Sequence, residues 1–297
     1  MGKSKRGPDP ARGLVTLPGG DFMMGTTDAD ANPADAEVYR REHVAPFRMA
    51  ATTVTNAQFA AFAKATGYVT TAEREGWSAV FHLLVTAQAH RSGQVSSSPG
   101  LPWWSVVRGA SWRAPFGQGS SYSDRAQHPV VHISQEDALA YCAWAGLRLP
   151  TEREWEYAAR GGLYSKRFPW GDDLEPDGYP RCNIFRGDFP NRADDPRWTG
   201  TVKVKSYPAN GFGLYEMTGN VWEWTADPWN LPTADGACCS MKRTAEEAGA
   251  AGEVVIRGGS YLCHDSYCNR YRVSARTHTT ADSSTSNQGF RVAGDVA

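Results

Sequence analysis

Long apolar runs are missing from this 297-residue chain, and with them any stretch able to cross a bilayer as a helix. An excess of one charge is missing too. The 31 basic residues face 32 acidic ones, which gives no electrostatic ground for a nucleic-acid or membrane partner. Cysteine is sparse: six residues, Cys142, Cys182, Cys238, Cys239, Cys263 and Cys268, do not make the framework of a disulfide-built domain. No N-x-S/T acceptor occurs. The basic N-terminus MGKSKRGPDPARG lacks the apolar centre of a secretory signal, and Arg6 breaks the myristoylation pattern that Gly2 begins. A cytoplasmic protein is the expectation from these absences.

What is present is a loop-rich composition, with 11 tryptophans, 30 glycines and 18 prolines. Large aromatic anchors pinning irregular segments would account for it. With no internal repeat and no evident linker, the reading is one mixed α+β domain over residues 14–297, preceded by a mobile arm over 1–13. LVTLPGGDFMMG reads as a hairpin turning at Pro18, Gly19 and Gly20. The run from Thr26 to Arg41, with Asp28, Asp30, Asp35 and Glu37, reads as a surface loop, and Val44 to Thr53 as a strand.

Three helices announce themselves. TNAQFAAFAKATG starts near Thr55, puts Phe59, Phe62 and Ala63 on one face and stops at Gly67. Ser134 with Asp137 makes a near capping box ahead of ALAYCAWAG, and Thr151 with Glu154 a proper one ahead of WEYAARGG. Ala138, Tyr141, Cys142 and Ala145 share a face, and Trp155 and Ala159 should pack inward. Beyond Gly162 no long helical pattern returns. Loops of that length in a compact domain need a holder, and calcium, with its taste for carboxylate and carbonyl oxygens, is one candidate. Trp103, Trp104 and Trp112 are either core anchors or the lining of a groove.

The organising stretch runs from Arg257 to Arg291. Gly258 and Gly259 open it, Cys263 and Cys268 follow with His264 and Asp265 between them, and Arg270, Arg272 and Arg276 come close behind. Three readings of the C-x4-C pair stay open on spacing alone. It is a short-loop disulfide, a zinc site short of ligands, or a pair of soft thiolates suited to monovalent copper with a third position left for a substrate.

Together, VTNAQFAAF, HPVVHIS, AGLRLPTEREWEYAARGG, NGFGLYEMTGNVWEWT, RGGSYLCHDSYCNRYR and NQGFRVA resemble the formylglycine-generating enzymes, the maturases of type I sulfatases, over about Leu14 to Ala293. LPTEREWEYAARGG and GNVWEWT mark only a wider superfamily that also holds sulfoxide synthases and inactive paralogues; the cysteine stretch carries the narrower resemblance. The resemblance implies a C-type-lectin-like fold, low in regular structure. It implies oxidation by O2 of the cysteine of a C-x-P-x-R segment in an unfolded sulfatase to formylglycine, with an external thiol as reductant and the protein acting as a monomer. An iron-dependent sulfoxide synthase would want clustered histidines, and the seven here, at 43, 82, 90, 128, 132, 264 and 278, are scattered.

Residue by residue, the resemblance makes Cys263 and Cys268 the copper-holding catalytic pair, Ser260 the active-site serine, and Trp222 and Asn287 neighbours of the oxygen pocket. Glu73, Ser78, Trp103, Trp104 and His264 lie where the family forms its peptide groove, with Glu73 suited to the motif's arginine. One implied calcium site takes Asn183, the carbonyls of Ile184 and Trp198, and Asp195; the other takes Glu216, Gly219, Val221 and Glu223. Pro196 and Glu216 depart from the family pattern there. Val273 and Val292 stand where vertebrate members have disulfide cysteines, as fits a bacterial member in a reducing compartment. Cys238 and Cys239 have no assigned role.

Overall fold

Local chemistry dictates the helices. In the computed structural model, which describes residues 13–98, 100–229 and 252–296, Thr55, Thr70, Ser134 and Thr151 each cap a helix reciprocally with the side chain three residues on. The helices are α1 (Asn56–Thr66), α2 (Thr71–Glu75), α3 (Ala87–Arg91), α4 (Gln135–Ala145) and α5 (Glu152–Arg160). Gly67, Gly76, Gly146 and Gly161 close four of them in the left-handed conformation that glycine adopts without strain. Phe59, Phe62, Tyr141 and Cys142 face one another across α1 and α4 in the main core, joined by Trp112, Trp224 and Phe290. Trp155 and Ala159, both fully buried, anchor α5 as expected. Among the described residues no helix is long and apolar enough to cross a membrane.

Strands are short and their partners distant. The central sheet runs Arg276–Thr280, Glu253–Arg257, Trp222–Pro228, Gln288–Phe290, antiparallel except for the last pairing, which is parallel. A second sheet orders Leu14–Leu17, Phe47–Ala50 and Ala293–Asp295, and a third orders Trp77–Phe81, Trp104–Arg108 and Val95–Ser97. This is a mixed, irregular α+β fold with few helices, as the sequence indicated.

The hairpin read at Pro18 is not one. Leu14–Leu17 pairs with Phe47–Ala50, while Gly20–Met24 pairs with Arg40–Val44 in a different sheet. At Gly19 the chain crosses so closely over its partner that a Cβ would lie 2.4 Å from the Val44 carbonyl oxygen, so the turn redirects the strand instead of folding it back. The single strand read from Val44 to Thr53 is likewise two, Arg40–Val44 and Phe47–Ala50, broken at Pro46, which has no N–H to offer a ladder. The arm read over 1–13 lies outside the described residues except for Gly13, and Cys238 and Cys239 lie outside them too.

The acidic loop is more than a solvated surface. Asp35 and Glu37 are 4% and 7% exposed. Asp35 takes Arg270 Nε at 2.5 Å, and Glu37 accepts both terminal nitrogens of Arg272 at 2.6 and 2.7 Å. The loop therefore braces the segment behind the cysteines from outside. Deeper in, Glu152 and Glu156 of α5 bind Arg257 and Arg276, and Glu156 also holds Arg160. These arginines, guanidinium forks suited to paired carboxylates, hold the long loops to the helix.

Candidate active site

Gly258 and Gly259, at φ 94° and 72°, turn the chain out of the strand Glu253–Arg257 and into the cysteine loop. At Gly259 a Cβ would sit 2.9 Å from the Arg270 carbonyl and 3.2 Å from Cys263 Sγ, so the loop closes on itself only with glycine there. The Cys263 N–H donates to the Ser260 carbonyl and the Cys268 N–H to the His264 carbonyl, a compact turn that points both sulfurs to one spot. Sγ of Cys263 and Sγ of Cys268 are 3.0 Å apart, well beyond the ~2.05 Å of a disulfide bond, and both thiols are free and buried.

Their surroundings divide the two thiols. Burial pushes Cys263 well above the ordinary thiol range. Cys268 is drawn down to about 7 by the hydrogen bond from Cys263, helped by the backbone and the positive charge at Arg270, against the opposing effect of burial. One proton shared between two sulfurs beside a guanidinium makes a thiolate accessible near neutral pH.

The pair lies in a pocket of roughly 310 Å³ whose walls come from distant segments: Trp103 and Trp104, Trp222, Ser260 and Asn287. Its size is at the low end of the ~300–1,000 Å³ typical of small-ligand sites. Asn287 Nδ2 donates to Ser260 Oγ at 2.9 Å, and the Trp222 N–H donates to the Asn287 carbonyl at 2.9 Å. His264 lies on the other side of the loop, lining a second hollow of roughly 340 Å³ with Phe185 and Tyr271. Phe189 and Tyr267 were not singled out in the sequence. Tyr267 packs edge-on against Trp103 and stacks on Phe189, which in turn stacks on His264, giving an aromatic ledge between the two hollows. The signal available was Tyr267 itself, an aromatic directly before the second cysteine.

Two residues expected at a groove have their polar atoms engaged elsewhere. Glu73 is the reciprocal cap of α2 and pairs with Arg113 at 2.7 Å, with Trp112 Nε1 donating to it as well. Ser78, 1% exposed, has its hydroxyl 2.7 Å from both the Ser284 carbonyl oxygen and His132 Nδ1. Neither lines the pocket of the two cysteines.

His132 sits against Ser78, outside the pocket lining. Fully buried at φ 61°, it also places Nε2 2.8 Å from the Pro115 carbonyl oxygen, and its backbone N–H donates to the Thr285 carbonyl. Burial lowers it from 6.5 to about 4. As pH falls below 6.5, the unfolded chain takes a proton that the folded one refuses, so stability present above that pH is lost on acidification. The expected loss is about 2 kcal/mol between pH 6.5 and 5, by urea denaturation. His132→Gln should reduce that slope and leave the part due to His128, which burial also lowers to about 4; an unchanged slope would remove His132 as a source.

The donors that the resemblance allots to calcium were tested against what they touch. Asn183 Oδ1 is buried without a partner, which suits a cation. The acids do not suit one. Asp195 is forked onto Arg197 at 2.8 and 3.0 Å, and Glu223 onto Arg291 at 2.9 and 3.0 Å with Trp155 Nε1 donating at 2.8 Å. Glu216 accepts the backbone N–H groups of Lys205 and Tyr207. Segments Asn183 and Gly219 are already bridged, with the Asn220 N–H donating to the Asn183 carbonyl at 2.8 Å and Asn183 Nδ2 to Asn220 Oδ1 at 3.2 Å. Ile184, Trp198 and Val221 stand beside these contacts in the chain. Calcium wants six to eight oxygens, and this donor set as it stands does not fit the ion.

The two thiols, by contrast, fit a soft monovalent ion: free, converging, one of them easily ionised, and open to the pocket. Among the described residues no group of three or more His, Cys, Asp or Glu side chains offers an alternative metal site.

A family model described as the sulfatase-modifying factor enzyme 1-like domain matches residues 2–296. The chain is 54% identical over 292 residues to a formylglycine-generating enzyme of Streptomyces coelicolor, covering 97% of this chain and 91% of that one. It is 40% identical over 285 residues to a Bos taurus protein named inactive C-alpha-formylglycine-generating enzyme 2, covering 94% of this chain and 87% of that one. Among solved structures, PvdO from Pseudomonas aeruginosa matches with a TM-score of 0.65 at 25% identity over the whole of both chains.

Proposed function

This chain belongs to the sulfatase-modifying factor enzyme family, and from that premise we propose that it oxidises the cysteine of a C-x-P-x-R segment in an unfolded type I sulfatase to formylglycine, with O2 as oxidant. The observation that carries the reading is the pair of unbonded sulfurs, 3.0 Å apart, at a pocket open to a peptide. Cys263 and Cys268 would hold monovalent copper, which supplies one-electron chemistry with oxygen when bound.

The chain's own residues have three tasks. Trp103, Trp104 and Leu101 give the pocket an apolar wall against which an extended peptide can lie, and Tyr267 narrows the approach. Cys268 and Arg270 keep a thiolate and its countercharge together. Ser260 and Asn287 offer hydrogen bonds where the reaction builds negative charge. Thiol, O2 and two reducing equivalents from an external thiol give a thioaldehyde and two waters; one water then replaces sulfur, releasing hydrogen sulfide and leaving the aldehyde.

The test is to supply a C-x-P-x-R peptide, Cu(I), O2 and a thiol reductant, and to follow peptide mass and aldehyde content. Formylglycine is expected in the wild-type reaction and none without copper. Unchanged peptide in the complete mixture would end this reading.

A further inference from the structure

Beside Asn287, and bordering the same pocket, lies a side chain that the proposed function has not used. Thr285 Oγ is 2.7 Å from Asn287 Oδ1. An amide oxygen only accepts, so the threonine hydroxyl is the donor, and the other end of the amide, Nδ2, is thereby turned to Ser260. Ser260 Oγ accepts there at 2.9 Å and accepts again from the Leu262 N–H at 3.2 Å. Both of its acceptor positions are filled. Among the described residues no protein group takes its own proton, and Ser260, fully buried, borders the pocket beside Cys263. That proton can be given only to what enters the pocket.

We propose that Thr285 is a positioning residue that sets the direction of this chain of hydrogen bonds, fixing Asn287 as donor to Ser260 and Ser260 as donor into the pocket; the inference rests on the proposed oxidation for its catalytic consequence. Without the threonine hydroxyl, the amide can turn over and present its oxygen to Ser260. Ser260 then donates backwards, and the pocket loses the serine as a donor.

Two further features point the same way. The Thr285 backbone is held in place: the His132 backbone N–H donates to its carbonyl at 2.9 Å, and the backbone N–H of neighbouring Ser286 donates to the Ala79 carbonyl at 2.9 Å. Gln288, which borders the pocket too, is 3% exposed, its Nε2 is buried without a partner, and its Oε1 is 3.5 Å from Thr285 Oγ. Turning that amide over lets Nε2 donate to Thr285 Oγ. The threonine proton is then committed to Asn287, and the orphaned donor is satisfied.

Thr285→Val keeps the shape and removes the donor; Thr285→Ser keeps the donor. With the peptide assay, Thr285→Val should lower kcat about tenfold or more while the peptide KM stays within about twofold, because a donor aimed at developing charge acts on the transition state. Thr285→Ser should recover most of the loss. In metal-free protein, 15N NMR should show slow exchange of the Asn287 side-chain amide protons, at least about tenfold faster in Thr285→Val and slow again in Thr285→Ser. A Val variant with kcat within twofold of wild type, or one changed only in KM, overturns the proposal. If the wild-type protein itself converts no peptide, the proposed function has failed and the exchange data alone decide: equal rates in wild type and Val overturn the relay.

Discussion

Cys268→Ser is expected to remove peptide oxidation, lowering turnover by about a thousandfold or more, the scale on which loss of one essential group disables a catalytic unit. Serine matches cysteine in shape, so the turn from Cys263 to Cys268 persists. What goes is the soft, ionisable sulfur. Its thiol is the one drawn down to about 7, while burial holds Cys263 protonated far higher, so without Cys268 neither group offers a thiolate near neutral pH. A hydroxyl is a hard, weakly acidic donor and does not replace it for monovalent copper. Cys263→Ser should fail to a similar extent, since the pair acts as one unit. Peptide affinity should change by less than about threefold in either variant, because the aromatic wall of Trp103 and Trp104 is untouched; tryptophan fluorescence reads that directly. Residual turnover above a few per cent in Cys268→Ser would mean that the chemistry is elsewhere.

How much of this was legible in the sequence depends on range. Helix starts are local events: Thr55, Ser134 and Thr151 sit three residues from their partners, and all three boxes form. Strand partners are not local. Leu14–Leu17 reaches past its apparent hairpin mate to a strand some thirty residues on, and no period in the sequence carries that information. The same limit hid the buried acids. Asp35 and Glu37 look like solvated loop residues until Arg270 and Arg272, more than two hundred residues later, come to meet them. The cue was on the other side, since three arginines crowded behind the cysteines needed carboxylates from somewhere. Glu73 shows the converse: an acid in the right region of a resemblance, already engaged by its own helix cap and by Arg113. Cys263, Cys268, Ser260, Trp222, Asn287, Trp103 and Trp104, drawn from far-apart segments, do border one pocket.

Glu156→Leu should be the most damaging single change to stability, costing about 3–5 kcal/mol in urea denaturation. Glu156 is fully buried. One oxygen accepts Arg160 Nη2 at 2.6 Å and the Gly25 N–H at 2.8 Å; the other accepts Arg257 Nη2 at 2.6 Å. Arg257, also fully buried, keeps Glu152 as its one ion-pair partner among the described residues when Glu156 is gone. Two guanidinium groups would then share too little negative charge in a place water does not reach, and the penalty is the desolvated charge left behind rather than the worth of a contact. The nearby charges hold Glu156 below the usual carboxylate range despite burial. Its contribution is therefore present above the unfolded carboxylate pKa and is lost as pH falls through the folded one. Glu156→Gln, which keeps the shape and part of the hydrogen bonding, should fall between. Asp21→Asn, which removes the exposed partner of Arg41, should leave the denaturation midpoint unchanged. A Leu variant as stable as Asp21→Asn would mean that the arginine cluster does not hold the loops to α5.

On the function proposed, one copper ion held between Cys263 and Cys268 would make this chain an oxidase of a peptide cysteine. The most direct measurement is the rate of formylglycine formation from a C-x-P-x-R peptide as Cu(I) is added to metal-free protein in the presence of O2 and a thiol reductant. A rise that breaks at one copper per chain and is absent in Cys268→Ser is expected. Folded, copper-loaded protein that binds the peptide and leaves its cysteine unoxidised would contradict it, and would make the chain a peptide-binding module with a structural cysteine pair.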